Sequence, residues 1–124
     1  MARFLLFMYP VISDEEYAAG PSLEDVEAMS KFNQALHDAG ALLGADGLAP
    51  EYTRVSEGGV TDGPFSEAKE LVGGYWIIQA KDQAEAIEWT KRIPLSGQSF
   101  VEVRRIYEMA DFGEDIQAAA QINE

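Results

Sequence analysis

The most distinctive chemical feature of the chain is a carboxylate set against glycine and proline, in Val60-Thr61-Asp62-Gly63-Pro64-Phe65. Asp62 can serve as a general base or as a ligand anchor. It can also hydrogen-bond nearby backbone and fix a turn, and the punctuation by Gly63 and Pro64 favours that second role. The two roles are compatible, because loops on a rigid scaffold often hold functional groups. Glu67, Lys69 and Glu70 follow closely. They read either as a polar pocket rim, with Lys69 available to an anionic ligand, or as a solvated helical turn. The solvated turn is the simpler account, since an exposed ion pair there contributes only ~0–1 kcal/mol.

Other candidates are scattered. Tyr9, Tyr75, Trp76 and Trp89 suit a ligand cavity, although such aromatics more commonly fill a core or an interface. Arg104 and Arg105 alternate across a strand, so one faces the helices and the other the opposite face. An arginine buried there calls for a carboxylate, and Glu102, Asp62 or Glu70 could supply it. The lone histidine, His37, precedes Asp38 in the last turn of a helix, a position the helix dipole favours without any chemistry. The chain has no cysteine, which rules out thiolate nucleophiles, disulfides and Cys-ligated metal sites. No metal site or cofactor is expected. Walker, dinucleotide-binding, nucleophile-elbow and zincin motifs are all absent.

The elements that must position these residues can be traced from the patterning. Residues 4–9 form an apolar run ended by Pro10, the mark of a core strand, and residues 11–20 read as loop. Ser22 then caps a helix, with Asp25 completing a capping box. Leu23, Val26, Met29, Phe32 and Leu36 make its apolar stripe, and Gly40 ends it. A second strand is expected over 41–48. Thr53–Ser56 and Val60–Thr61 suggest a hairpin around Glu57-Gly58-Gly59, and Ser66–Leu71 a single helical turn. Residues 72–80 read as a third core strand. Asp82 and Glu85 open a helix that buries Ala86, Ile87, Trp89 and Ile93 and stops at Pro94. Residues 99–107 read as a fourth strand. Asp111 and Glu114 begin a tail helix with Phe112, Ile116, Ala119 and Ala120 on one face.

Strand–helix–strand repeated twice predicts an α+β, ferredoxin-like split βαβ domain, βαββαβ with a four-stranded antiparallel sheet, over residues 1–108, and a helical tail over 109–124. With both helices on one face, the other face keeps about half of the apolar strand residues. That predicts a homodimer closed by two-fold symmetry.

The string Asp62-Gly63-Pro64-Phe65-Ser66-Glu67-Ala68-Lys69-Glu70, the run Gly73-Gly74-Tyr75-Trp76, and Val101-Glu102-Val103-Arg104 together resemble the DGPF group of YCII-related proteins. The likeness covers most of residues 3–107. It implies a dimeric α+β barrel, the assembly of several small oxygenases, lactone isomerases and dehalogenases. It also implies an association with extracytoplasmic-type sigma factors. Some YCII-related proteins carry a His–Asp pair proposed as catalytic, the His near the start of the first helix and the Asp just after the second. Here those places read Ser22-Leu23-Glu24-Asp25-Val26 and Lys91-Arg92-Ile93-Pro94, so the pair does not carry over, and His37 does not inherit it.

The net charge is −13, from 22 acidic and 9 basic residues, which disfavours nucleic acid and anionic membrane. The amino terminus lacks a secretory pattern and no apolar stretch is long enough to span a bilayer, so a cytoplasmic location is expected. The function expected is a ligand-binding or regulatory homodimer with a small-molecule site formed by Asp62, Gly63, Pro64, Phe65, Lys69, Tyr9, Trp76 and Arg104. The alternative is a cofactor-free isomerase, dehalogenase or oxygenase using Asp62 as acid–base, assisted by Arg104 or Lys69.

Overall fold

The computed structural model describes residues 1–63 and 71–120. Expectations placed on Pro64, Phe65, Glu67, Lys69 and Glu70, and on the helical turn around them, lie outside the described residues. In chain order the elements are β1 (Ala2–Tyr9), α1 (Asp14–Ala19), α2 (Leu23–Asp38), β2 (Leu42–Gly47), β3 (Thr53–Ser56), β4 (Gly59–Asp62), β5 (Gly74–Ala80), α3 (Gln83–Thr90), β6 (Phe100–Arg105) and α4 (Glu114–Ala120), with a 3-10 turn at Met109–Asp111. Four strands pair in the order β2-β5-β1-β6, antiparallel throughout. That is the ferredoxin-like arrangement, in which each strand–helix–strand unit skips one strand position. β3 and β4 form a separate two-stranded sheet.

Local chemistry explains where the helices start. The Ser22 hydroxyl accepts from Asp25 N–H at 3.1 Å while the Asp25 carboxylate accepts from Ser22 N–H, closing the capping box of α2. The Asp82 carboxylate accepts from Glu85 N–H at 2.9 Å at the start of α3. α2 ends where Gly40 takes φ +72°, which lets Ala41 N–H return to the Leu36 carbonyl.

Strand alternation then sorts the residues into two faces. Phe4 and Leu6 of β1, Trp76, Ile78 and Ala80 of β5, Phe32 and Leu36 of α2, and Ala86 and Ile93 are buried together as the core. Phe32 and Trp76 meet edge to face at 5.9 Å. The other face carries Arg3, Leu5, Phe7 and Tyr9 of β1, Tyr75, Ile77 and Gln79 of β5, and Phe100, Glu102 and Arg104 of β6. All of these are half-buried or exposed. Cross-strand neighbours on this open face include Leu5 with Ile77 and Arg104, Phe7 with Tyr75 and Glu102, and Tyr9 with Phe100.

The structure corrects four expectations. Residues 14–19 form a short helix rather than loop, because the Ser13 hydroxyl caps it by accepting from Glu16 N–H. Leu23 and Val26 are exposed, since the stripe of α2 meets the core only from Met29 onward. Ile87 is also exposed, because Ala86 and the half-buried Trp89 take the inward side of α3. Asp111 does not open α4, which begins at Glu114. Instead it takes two hydrogen bonds from the Arg105 guanidinium, both 2.8 Å. Arg105 thus finds a carboxylate in the tail, whereas the sequence offers Glu102 and Asp62 among the described residues. Among the described residues no helix is long and apolar enough to cross a membrane.

Candidate functional site

The described residues among those expected to form one site fall in three places. Asp62 ends the exposed β3–β4 hairpin, where its carboxylate accepts the Thr53 hydroxyl at 2.9 Å. Thr53 and Asp62 are also register partners, so the bond ties the hairpin shut at its base. Gly63 continues that tie by donating its N–H to the Tyr52 carbonyl at 2.6 Å. A Cβ at Gly63 would stand 2.7 Å from the Tyr52 ring, so only glycine lets the ring lie there.

Tyr9 and Arg104 lie on the open face of the four-stranded sheet, whereas Asp62 belongs to the separate two-stranded one. The Tyr9 ring stacks on Phe100 at 4.7 Å. Its hydrogen bond to the Glu102 carboxylate, and then burial, push the hydroxyl above its usual range, while Arg104 pulls it partly back. On the same face the Tyr75 hydroxyl donates to Asp46 at 3.2 Å, which raises its pKa as well. Asp46 is the register partner of Tyr75.

Trp76 faces the core. Its indole N–H donates to the Asn33 Oδ1 at 2.8 Å. Both line a cavity of about 350 Å³ between α2 and the ends of β1, β2 and β5. Met8, Met29, Ala45, Asp46, Gly47, Gly73, Gly74 and Tyr75 also line it among the described residues. Of the described residues anticipated for a ligand cavity, Tyr75 and Trp76 lie here, and Tyr9, Asp62, Gly63 and Arg104 do not. Asn33, Met8, Met29 and Asp46 escaped sequence reasoning. The one available signal was Asn33, a polar residue beside Phe32 in the helix that carries the apolar stripe.

The glycines at this end have packing roles. A Cβ at Gly73 would sit 2.9 Å from Pro10, and one at Gly74 3.1 Å from the Asp46 carbonyl. Gly73 also links two strands, donating to Met8 and accepting from Leu48. The Tyr17 hydroxyl donates to the Leu48 carbonyl at 2.8 Å, which fastens α1 to this corner. Burial, assisted by the Glu51 charge, raises the Tyr17 pKa.

A family model for the YCII-related domain matches residues 3–110. The chain belongs to the YCII-related family. Comparison with curated proteins gives no match. In this YCII-related domain the two places that correspond to a His–Asp pair do structural work. Ser22 and Asp25 are occupied by the capping box, and Ile93 is buried in the core. His37 is exposed, 3.6 Å from the equally exposed Asp38. Among the described residues no group of three His, Cys, Asp or Glu side chains could hold a metal ion.

Proposed function

We propose that this YCII-related chain, of the DGPF group, is a cytoplasmic homodimer that binds a small molecule, and that two copies meet through the open face of the sheet. The distribution of charge on the surface carries this reading. Acidic residues crowd the helices: three in α1, four in α2, and two each in α3 and α4, against Lys31 as the one basic residue there. The open face is balanced, with Arg3 and Arg104 against Glu102 and Asp46, around an apolar centre of Leu5, Phe7 and Ile77. In a chain of net charge −13, this face is a surface on which a second copy can settle without net repulsion.

The cavity between α2 and β5 supports the binding role. Its volume, about 350 Å³, is within the range of small-molecule sites, and its thioethers and indole suit a largely apolar ligand. Asp62 is committed to Thr53 on an exposed hairpin, which supports the binding reading over acid–base chemistry at that carboxylate. A regulatory link to an extracytoplasmic-type sigma factor rests on the sequence resemblance alone.

Two measurements test the proposal. Sedimentation equilibrium should show a dimer at micromolar concentration. A thermal-shift screen of lactones, phenols and small acids should give a stabilising compound whose effect disappears in Met29→Trp, which fills the cavity. A well-folded monomer sinks the first half. A compound that stabilises Met29→Trp as strongly as the parent chain sinks the second.

A further inference from the structure

We propose that the β3–β4 hairpin is an arm that grips the second copy. This inference rests on the dimer reading above. Every residue of both strands is exposed. Val55 and Val60 face each other across the ladder, yet they are 73% and 67% exposed. A lone two-stranded hairpin is marginally stable in water, and an apolar cross-strand pair contributes to it only when something covers that pair. This hairpin is nonetheless latched at its base by the Thr53–Asp62 and Tyr52–Gly63 hydrogen bonds. The latch closes the hairpin at its base and leaves the Val55–Val60 pair uncovered near its tip.

The size of the sheet face suits a second copy as the occupant. The four strands run six to eight residues each, which gives a sheet face of about 22 Å by about 19 Å, roughly 400 Å² in footprint. A stable pairing needs about 800 Å² on each partner. That figure is accessible surface, which exceeds a planar footprint, and an arm reaching from each copy adds contact area to the open face. The hairpin also leaves the sheet at the correct end. Its root follows β2 at Gly47 and Leu48, where Leu48 N–H bonds Gly73, and that end carries the Tyr9–Phe100 stack and the Asp46–Tyr75 pair. Charge agrees as well. Residues 53–62 hold Arg54 against Glu57 and Asp62, one net negative charge in a chain of −13, so the arm adds little repulsion toward an acidic partner.

Sedimentation equilibrium on the full chain tests the inference, comparing the parent, Val55→Lys/Val60→Lys and Phe7→Lys. The two lysines are added at exposed positions and make the chain less acidic, so by long-range charge alone they would tighten a dimer. We expect the double variant to dissociate about tenfold more readily or worse, as loss of the apolar contact of two valines demands. Its circular-dichroism melt as a monomer should match the parent's. Hydrogen exchange gives a second readout in the unaltered chain, where protection of the hairpin amides should fall on dilution through the dimer constant. An unchanged or tighter dimer in the double variant, with Phe7→Lys monomeric, overturns the arm and leaves the dimer standing. Hairpin protection that ignores concentration overturns the arm too. A parent chain that is monomeric throughout overturns both.

Discussion

Asn33 presents its amide oxygen to the Trp76 indole N–H at the wall of the cavity. The indole is 5% exposed, so removing the acceptor strands a donor that water reaches poorly. Asn33→Ala should therefore lower stability by about 1–3 kcal/mol, read as a shift in the urea midpoint followed by tryptophan fluorescence. An unchanged midpoint would contradict the structural role given to this pair. Sequence reasoning could see Trp76 but not its partner, because the two lie 43 positions apart and only the packed fold joins them. Asp62 shows the opposite case. Its turn character was legible from Gly63 and Pro64, while its bond to the Thr53 hydroxyl follows from a register that the local string does not state. Gly63 was legible as punctuation, and its real constraint, the Tyr52 ring 2.7 Å from a would-be Cβ, was not.

At the scale of elements, signals carried by neighbouring residues were readable and those needing distant partners were not. The caps at Ser22 and Asp82, the hairpin around Glu57-Gly58 and the four core strands are all local patterns, and they occur where the chain places them. α1 was missed because six residues with three acids show no apolar period. Its support comes from the Ser13 cap and from Tyr17 reaching Leu48. The tail helix begins at Glu114 instead of after Asp111; an Asp three residues before a Glu looks like a capping box until Arg105 is seen beside it. That pair has a pH signature. The Arg105 hydrogen bonds, helped by Glu108 N–H, lower the Asp111 pKa from 3.8 to about 2. A carboxyl depressed in the folded state adds stability that is complete above its unfolded pKa and is lost as pH falls through the folded one. The tail should accordingly stay docked at pH 5 and loosen between about pH 4 and pH 2. Ring-proton shifts of Tyr107 and Phe112, which pack at 4.9 Å, would follow it. In Asp111→Asn that step should vanish, and a step that persists there would assign it to another carboxyl.

For the molecule as a whole, the charge total and the charge layout make different predictions about assembly. The total, −13 on each chain, says that two copies repel. The layout says that the repelling groups sit mainly on the helices, while the open sheet face is balanced and greasy. Salt separates these contributions. At 0.1 M the screening length is about 10 Å, so added salt mutes repulsion between the acidic helical layers of the two copies and leaves apolar contact at the sheets nearly untouched. If the sheets meet as proposed, the dimer should tighten when ionic strength rises from about 0.02 M to about 0.5 M. An interface held by ion pairs, for instance one built from the acidic helices against Lys91-Arg92 or Arg104-Arg105, would loosen over the same range. Sedimentation equilibrium at the two salt concentrations decides between them. Because the sign of the change is the readout, the answer does not depend on the absolute strength of the dimer. A dimer that weakens with salt would move the contact away from Leu5, Phe7 and Ile77 and onto the charged surface, and the hairpin arm would lose its anchor with it.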